Sequence, residues 1–154
     1  MSVILDSGER RNFDTGAVRD VTSGKGRCDL MPLGVVSRLL EAKTGDYVLR
    51  AIAKFVETKE TKCLYAAISN FSNMAYEGSL ETLILELAKH FEDGAKKYGE
   101  NNWQKGIPVS CYIDSAVRHY LKWHKGDDDE PHARAFVWNL VCCIWEVDFH
   151  AKNQ

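Results

Sequence analysis

The sequence lacks the features that would place this chain in a membrane or on a nucleic acid. Among its 154 residues there is no apolar run close to the roughly 20 residues that a membrane-spanning helix requires. The first residues turn polar after Val3-Ile4-Leu5, so no signal peptide is predicted. A large excess of charge is also absent, because 20 basic and 22 acidic side chains leave a formal net charge of −2. We therefore expect a cytoplasmic protein with no membrane and no nucleic-acid partner.

The motifs of several enzyme and metal-protein classes are absent as well. The five cysteines form no CxxC pair, which favours small buried side chains in a reducing compartment over zinc ligands or disulfides. The sequence contains no GxxxxGK[ST] loop, no GxSxG elbow and no HExxH helix. A contiguous His-Asp doublet is missing too, and this argues against the HD-type phosphohydrolases.

The sequence does contain apolar residues at helical spacing from Leu33 onward, whereas strand-like alternation is scarce. This pattern predicts a single all-α domain over residues 1–154, a bundle of five to six helices preceded by an extended arm over 1–29. The helices are expected over about 33–43, 48–56, 64–74, 79–97, 112–123 and 130–149. The predicted caps and stops are Gly45, Asp46, Ser79, Gly99, and Asp114 or a residue just before it.

Carboxylates and a histidine share one stripe of the fourth predicted helix. Glu86, His90 and Asp93 stand at i, i+4 and i+7, and Glu92 lies four residues before Lys96. Because Mg²⁺ prefers carboxylate oxygens, Glu86, Glu92 and Asp93 are candidate metal ligands, and Lys96 is a candidate phosphate contact. A solvated helix face with an ordinary Glu92–Lys96 surface pair explains the same spacing.

A second polar cluster opens the last predicted helix. Asp129, Glu130 and His132 come close together, and Asn139 follows His132 by seven residues on the same helix face. Helix capping explains one or two of the acidic residues, but not a histidine and an amide on an otherwise apolar helix. We expect metal ligands at Asp129, Glu130 and His132, and a substrate contact at Asn139.

Three further pairs of residues could contact a nucleotide. They are Arg118 and His119 in one helix, Lys25 and Arg27 in the glycine-rich arm, and Asn102 and Trp103 in a loop. A guanidinium or an ammonium can bind phosphate, and a tryptophan beside an amide can stack on a base and hydrogen-bond it. Structural explanations stand beside these, namely an Arg–His pair that stabilises the fold and a loop tryptophan folded onto the core. The spacing does not choose whether a histidine is a ligand, an orienting group or a proton carrier.

Several of these stretches together resemble the phage-type dATP/dGTP diphosphohydrolase domain family. They keep one order along the chain and cover most of it, leaving 44–78 as a helical insert. The matching segments are TGAVRD at 15–20, GKGRCDLMP at 24–32, HFEDGAKKYG at 90–99, NWQKG at 102–106, DSAVRH at 114–119 and DEPH at 129–132, followed by Trp138-Asn139.

The resemblance implies a helical fold related to MazG-like nucleotide pyrophosphohydrolases. It also implies hydrolysis of dATP or dGTP to the monophosphate and pyrophosphate with Mg²⁺ or Mn²⁺, a place in phage nucleotide metabolism in the host cytoplasm, and assembly as a homodimer or tetramer. The catalytic residues expected on this basis are Glu92, Lys96, Arg118 and His119. The ExxE…ExxD carboxylate pattern of MazG-like enzymes is not present in clean form. The alternative is therefore a non-catalytic helical protein that binds a nucleotide or a partner on the same scaffold.

Overall fold

The computed structural model describes residues 4–150, and most of these residues are helical. The α-helices are α1 Leu33–Thr44, α2 Val48–Thr58, α3 Lys62–Ala75, α4 Leu80–Tyr98, α5 Val109–Lys125 and α6 His132–Trp145. Short 3-10 helices cover Cys28–Leu30 and Asn102–Lys105, and a π-helical turn, Glu146–His150, follows α6. The strands β1 Arg10–Asn12 and β2 Val18–Asp20 pair antiparallel. The predicted all-α class is confirmed.

The ends of α1 and α4 follow the predicted signals. Gly45 has φ 75° and Gly99 has φ 89°, conformations that glycine adopts without the strain other residues would carry. Ser79 Oγ accepts a hydrogen bond from the Thr82 amide at 3.2 Å, which confirms the predicted N-cap of α4. Each of these signals acts within a few residues of chain, so the sequence alone shows it.

The predicted cap at Asp114 is wrong. Helix α5 begins at Val109, directly after Pro108, because a proline at a helix start loses no helical hydrogen bond. Asp114 therefore lies inside α5, is only 2% exposed and pairs with Arg118 one turn later. A buried ion pair, and not a helix end, explains this aspartate.

The core is centred on the α5–α6 pair and receives side chains from the other helices. Tyr120 of α5 and Phe136 of α6 have ring centroids 5.1 Å apart, and Phe71 of α3 packs edge-on against Phe136 at 4.7 Å. All three rings are fully buried, and burial of a side chain of this size contributes about 1.5–3 kcal/mol. Because Phe71 belongs to this cluster, α3 is part of the core and not a mobile cover.

The N-terminal arm forms a hairpin that packs on the helices. Asn102 holds it by two hydrogen bonds to Val18, since its Oδ1 accepts from the Val18 amide and its Nδ2 donates to the Val18 carbonyl, both at 2.8 Å. Thr15 Oγ1 adds a hydrogen bond to the carbonyl of Gly106 at 2.7 Å. Strands of three residues carry too few positions for alternation to reveal them, so the sequence indicated only an extended arm.

Two expectations from the sequence concern membrane-spanning segments and the state of the cysteines. No helix within residues 4–150 is long and apolar enough to cross a membrane. The five cysteines are free; Cys142 and Cys143 are buried, while Cys28, Cys63 and Cys111 are half-buried. Burial raises the pKa of the Cys142 and Cys143 thiols, so both act as small apolar side chains.

Candidate functional site

A polar cavity of about 190 Å³ lies between the N-terminal hairpin and helices α4, α5 and α6. We call it the charged cleft. Its walls carry five cationic side chains and two acidic ones, although the whole chain is slightly acidic. The cations are Arg19, Lys25, Lys97, Arg118 and Lys122, the acids are Asp20 and Glu130, and the other polar groups are Thr22, His90, Tyr98, Asn102, Ser115, His119 and Asn139. An excess of positive charge in a concave site suits a phosphate ligand.

The side of the cleft formed by α5 and α6 contains a chain of hydrogen-bonded side chains. His132 Nε2 donates to Asp129 Oδ1 at 2.7 Å, and His119 Nδ1 lies 2.9 Å from His132 Nδ1. In a neutral His132 ring, a proton on Nε2 leaves a lone pair on Nδ1, so the hydrogen between the two rings belongs to His119. Asp129 thus fixes the tautomer and the orientation of His132, as a carboxylate does behind many metal-bound histidines.

Glu130 completes a possible metal-binding group with these two histidines. One ligand atom from each of His119, Glu130 and His132 lies within 4.8 Å of the others. His132 is buried, and His119 and Glu130 are half-buried at the edge of the cleft. Burial, followed by the neighbouring His132, lowers the pKa of His119 well below its usual 6.5, so this ring is neutral and has a lone pair to offer.

Buried nitrogens at the cleft have no hydrogen-bond partner within residues 4–150. They include Arg19 Nη1, His90 Nδ1, Arg118 Nε and Trp138 Nε1. The two guanidinium nitrogens and the indole nitrogen can only donate, so together they call for a ligand rich in acceptor oxygens. Phosphate oxygens meet this requirement.

A family model described as dATP/dGTP diphosphohydrolase, N-terminal, matches residues 66–154, which is more than half of the chain. The chain belongs to this family. No curated protein and no solved structure matches the chain. The matched region of the family domain contains His119, Glu130 and His132, whereas the hairpin that forms the opposite wall of the cleft lies outside it.

Arg19 is a cleft residue of this family member that the candidates named from the sequence did not include. Its Nη2 donates to Ser115 Oγ at 2.8 Å and to Asn139 Oδ1 at 3.1 Å, and its guanidinium lies 5.7 Å from the centre of the Trp138 ring. Arg19 belongs to the TGAVRD stretch that carried the family resemblance, and this was the signal that could have identified it. Helical periodicity could not do so, because Arg19 lies on a strand.

Three of the candidates named from the sequence line the cleft but also support its walls. Arg118 donates to both carboxylate oxygens of Asp114 at 2.7 Å and to the Gly26 carbonyl, which holds the glycine-rich segment against α5. Asn102 is engaged with the hairpin as described above. Asn139 donates to the Ala135 carbonyl at 2.8 Å and accepts from Arg19. These side chains therefore position the cationic wall, and Arg118 Nε is a buried donor with no hydrogen-bond partner within residues 4–150.

The structure places the remaining candidates at different positions, and of these only Lys25 lines the charged cleft. The Glu92 side chain is 69% exposed and pairs with Lys96, while Glu86 pairs with Lys89, both on the outer side of α4. Four further candidates divide between the rim, the cleft and a neighbouring pocket. Arg27 pairs with Asp29 outside the cleft, Lys25 lines the cleft, Asp129 is exposed behind His132, and Trp103 lies in a second pocket.

That second pocket has a volume of about 300 Å³ and adjoins the charged cleft. We call it the aromatic pocket. The two cavities share Gly94, Tyr98, Asn102 and Trp138. The remaining lining of the aromatic pocket comes from Phe91 and Ala95 of α4 and from residues 99–101 and Trp103. Trp103 is half-buried and packs edge-on against Phe91 at 5.5 Å and Trp145 at 5.0 Å, so it is folded onto the core and still faces a cavity.

Proposed function

We propose that this chain hydrolyses purine deoxynucleoside triphosphates, dATP or dGTP, to the monophosphate and pyrophosphate with a divalent metal ion. The observation that carries the proposal is the charged cleft, whose lining combines cationic side chains with His119 and Glu130 of the possible metal-binding group and includes buried donors that have no hydrogen-bond partner within residues 4–150. The family description supplies the substrate class. In this reaction water adds to the α-phosphorus, the bond to the oxygen bridging the α- and β-phosphorus breaks, and the proton released passes to solvent.

The donor set at the α5–α6 side of the cleft fits a divalent cation. Two neutral imidazoles and a carboxylate suit Mn²⁺ better than Mg²⁺, which prefers oxygen ligands and water. His119, Glu130 and His132 would hold the ion in place of the hydrogen bond between the two imidazoles, with Asp129 orienting His132. Bound there, the ion supplies positive charge against the phosphate oxygens at which charge develops during the reaction.

The protein's own side chains would bind and orient the triphosphate. Arg19 is held by Ser115 and Asn139 and keeps Nη1 free to donate to a phosphate oxygen. Lys25 of the N-terminal arm and Lys122 of α5 also line the cleft and add positive charge. Fixed donors of this kind stabilise a transition state because they need no reorganisation as charge shifts.

The alternative is a nucleotide-binding protein without turnover. The positions of Glu92 and Glu86 favour it, because these carboxylates, expected from the sequence to hold metal, pair with lysines of α4 and do not line the cleft. The absence of a clean ExxE…ExxD pattern favours it as well. Both alternatives use the charged cleft, so a product assay separates them.

Purified protein should be incubated with dGTP, dATP or dCTP and MnCl₂, and the products resolved by anion-exchange chromatography. We expect purine monophosphate and pyrophosphate, loss of turnover with EDTA, and recovery with added Mn²⁺. Bound but unchanged nucleotide would support the alternative. Release of nucleoside and tripolyphosphate would contradict the proposed bond cleavage.

A pair of matched variants tests where the metal site lies. Glu130→Gln keeps an acceptor for the Leu5 amide, which Glu130 Oε1 binds at 3.2 Å, but removes the negative charge. We expect it to lower kcat/KM by on the order of 100-fold and to weaken Mn²⁺ binding. Glu92→Gln makes the same chemical change on the outer side of α4 and should leave both quantities within about twofold. If Glu92→Gln abolishes turnover, the site must include that face of α4.

A further inference from the structure

The aromatic pocket is built to hold a flat ring. Its walls carry the rings of Phe91, Tyr98, Trp103 and Trp138, and the smaller Gly94 and Ala95 leave the space between them open. Phe91 packs edge-on against Trp103 at 5.5 Å and at a tilt against Trp138 at 5.9 Å, so these rings have fixed orientations before a ligand arrives. Aromatic side chains in this arrangement bind nucleobases by stacking, and every base offers a face for it.

The aromatic pocket and the charged cleft adjoin, because Gly94, Tyr98, Asn102 and Trp138 line both. Gly94 lies in the interior of α4, where glycine is unfavourable by about 1 kcal/mol, and a Cβ added there would meet nothing within 4 Å. Open space at this shared residue is what a passage between the two cavities requires. Through such a passage, a ligand with phosphates in the charged cleft would place a ring in the aromatic pocket.

The rim of the aromatic pocket carries Glu100, whose carboxylate offers two acceptor oxygens. Its carboxylate is exposed and forms no ion pair or hydrogen bond within residues 4–150. Guanine presents two neighbouring donors, N1–H and the N2 amine, which the two oxygens of a carboxylate can accept together. Adenine presents a donor beside an acceptor lone pair, which faces the second carboxylate oxygen unfavourably.

We propose that the aromatic pocket is the base-binding subsite and that Glu100 makes it select guanine over adenine and cytosine. This inference rests on the proposed function, because it assumes that the charged cleft holds the phosphates of the same nucleotide. It assigns Trp103, Phe91 and Tyr98 to stacking. It gives Asn102 no part in reading the base, since both polar atoms of that amide bind Val18.

The test measures binding and not turnover. The full chain is titrated with dGMP, dAMP, dCMP and inorganic pyrophosphate in the presence of Mn²⁺, followed by tryptophan fluorescence and calorimetry. We expect dGMP to bind about tenfold or more tightly than dAMP and dCMP, because a polar site rejects a base that leaves its acceptor unpaired. Equal affinity for the three monophosphates would overturn the selectivity.

Two variants of α4 test the position of the subsite. Ala95→Leu fills the aromatic pocket from a residue that does not line the charged cleft, whereas Ala88→Leu places the same side chain on the exposed face of the helix. We expect Ala95→Leu to weaken dGMP binding roughly tenfold to a hundredfold and to leave pyrophosphate binding within about twofold. Ala88→Leu should change neither. Equal loss of dGMP and pyrophosphate binding in Ala95→Leu would refute the subsite, with melting curves of both variants showing that they are folded.

Glu100→Gln tests the reading of the base. Glutamine offers one acceptor and one donor, the pattern that pairs with adenine, so the variant should lose about tenfold in dGMP affinity and bind dAMP as well as or better than dGMP. An unchanged preference would refute the role of Glu100.

If the wild type releases no product but shows these preferences, the proposed hydrolysis fails and the subsite stands. If it hydrolyses dGTP and dATP alike with no effect of Ala95→Leu, the subsite fails and the hydrolysis stands.

Discussion

Gly94→Ala should make the protein more stable and less able to bind its nucleotide. Gly94 occupies an interior position of α4, where alanine is favoured by about 0.5–1 kcal/mol because it loses less backbone entropy on folding. The space for the added methyl group is open, with no atom within 4 Å of its Cβ, so no clash offsets this gain. The midpoint of thermal unfolding should rise by about 1–4 °C for a chain of this size.

The same methyl group would narrow the passage between the charged cleft and the aromatic pocket. A ligand that crosses this passage would have to shift, and an affinity loss of about tenfold corresponds to about 1.4 kcal/mol. Circular dichroism melting measures the first effect, and titration with dGMP together with KM for dGTP measures the second. A gain in stability together with a loss of nucleotide affinity would indicate that Gly94 leaves space for the ligand.

Ala88→Gly is the matched control for this prediction. Ala88 is exposed on the same helix and touches neither cavity, so this variant should lose about 0.5–1 kcal/mol of stability with no change in nucleotide affinity. A Gly94→Ala protein that binds dGMP as tightly as the wild type would refute the passage. A variant less stable than the wild type would refute the assignment of open space above Gly94.

Two further predictions concern a cleft arginine and a buried histidine. Arg19→Lys keeps the charge but cannot bridge Ser115 and Asn139 while donating to a phosphate, so KM for dGTP should rise about tenfold, and Arg50→Lys on the exposed side of α2 should leave KM unchanged. Burial, with Arg134 as the largest nearby charge, lowers the pKa of His90 from 6.5 to about 3, so between these pH values the unfolded chain binds a proton that the folded chain does not. The free energy of unfolding should therefore decrease as the pH falls below 6.5, and His90 should contribute up to about 1.4 kcal/mol of this decrease per pH unit. Denaturant titrations at pH 7, 6 and 5 should show a smaller decrease in His90→Gln than in the wild type. An equal fall in the variant would contradict this assignment.

The sequence predicted helices well where the signal was local. Ser79 and Gly99 mark the ends of α4 by chemistry that acts within one helical turn, and the apolar spacing of α5 and α6 reflects the face each helix buries. Asp114 misled the prediction because an aspartate that caps a helix and one that pairs with an arginine one turn later look the same in sequence. Only burial distinguishes them.

The candidate site was predictable only in part, because the sequence identifies single residues and not their arrangement in space. His119, Glu130 and His132 were named from the sequence, but their grouping depends on how closely α5 and α6 pack, and no spacing along the chain gives that distance. Glu92 and Lys96 satisfied every rule of helical spacing and yet form an exposed pair on the outer side of α4. Periodicity shows which residues share a helix face and leaves open what that face meets.

By itself, the sequence determined the all-α class, the ends of α1 and α4, and the family, because each rests on local chemistry or on motifs in order along the chain. Tertiary structure alone decided that a hairpin more than 90 residues away brings Arg19 to Ser115 and Asn139, and that Gly94 lines both cavities. The physical reason is that a binding site is a set of distances between elements. The packing of the core sets those distances, and the identity of each residue alone does not set them.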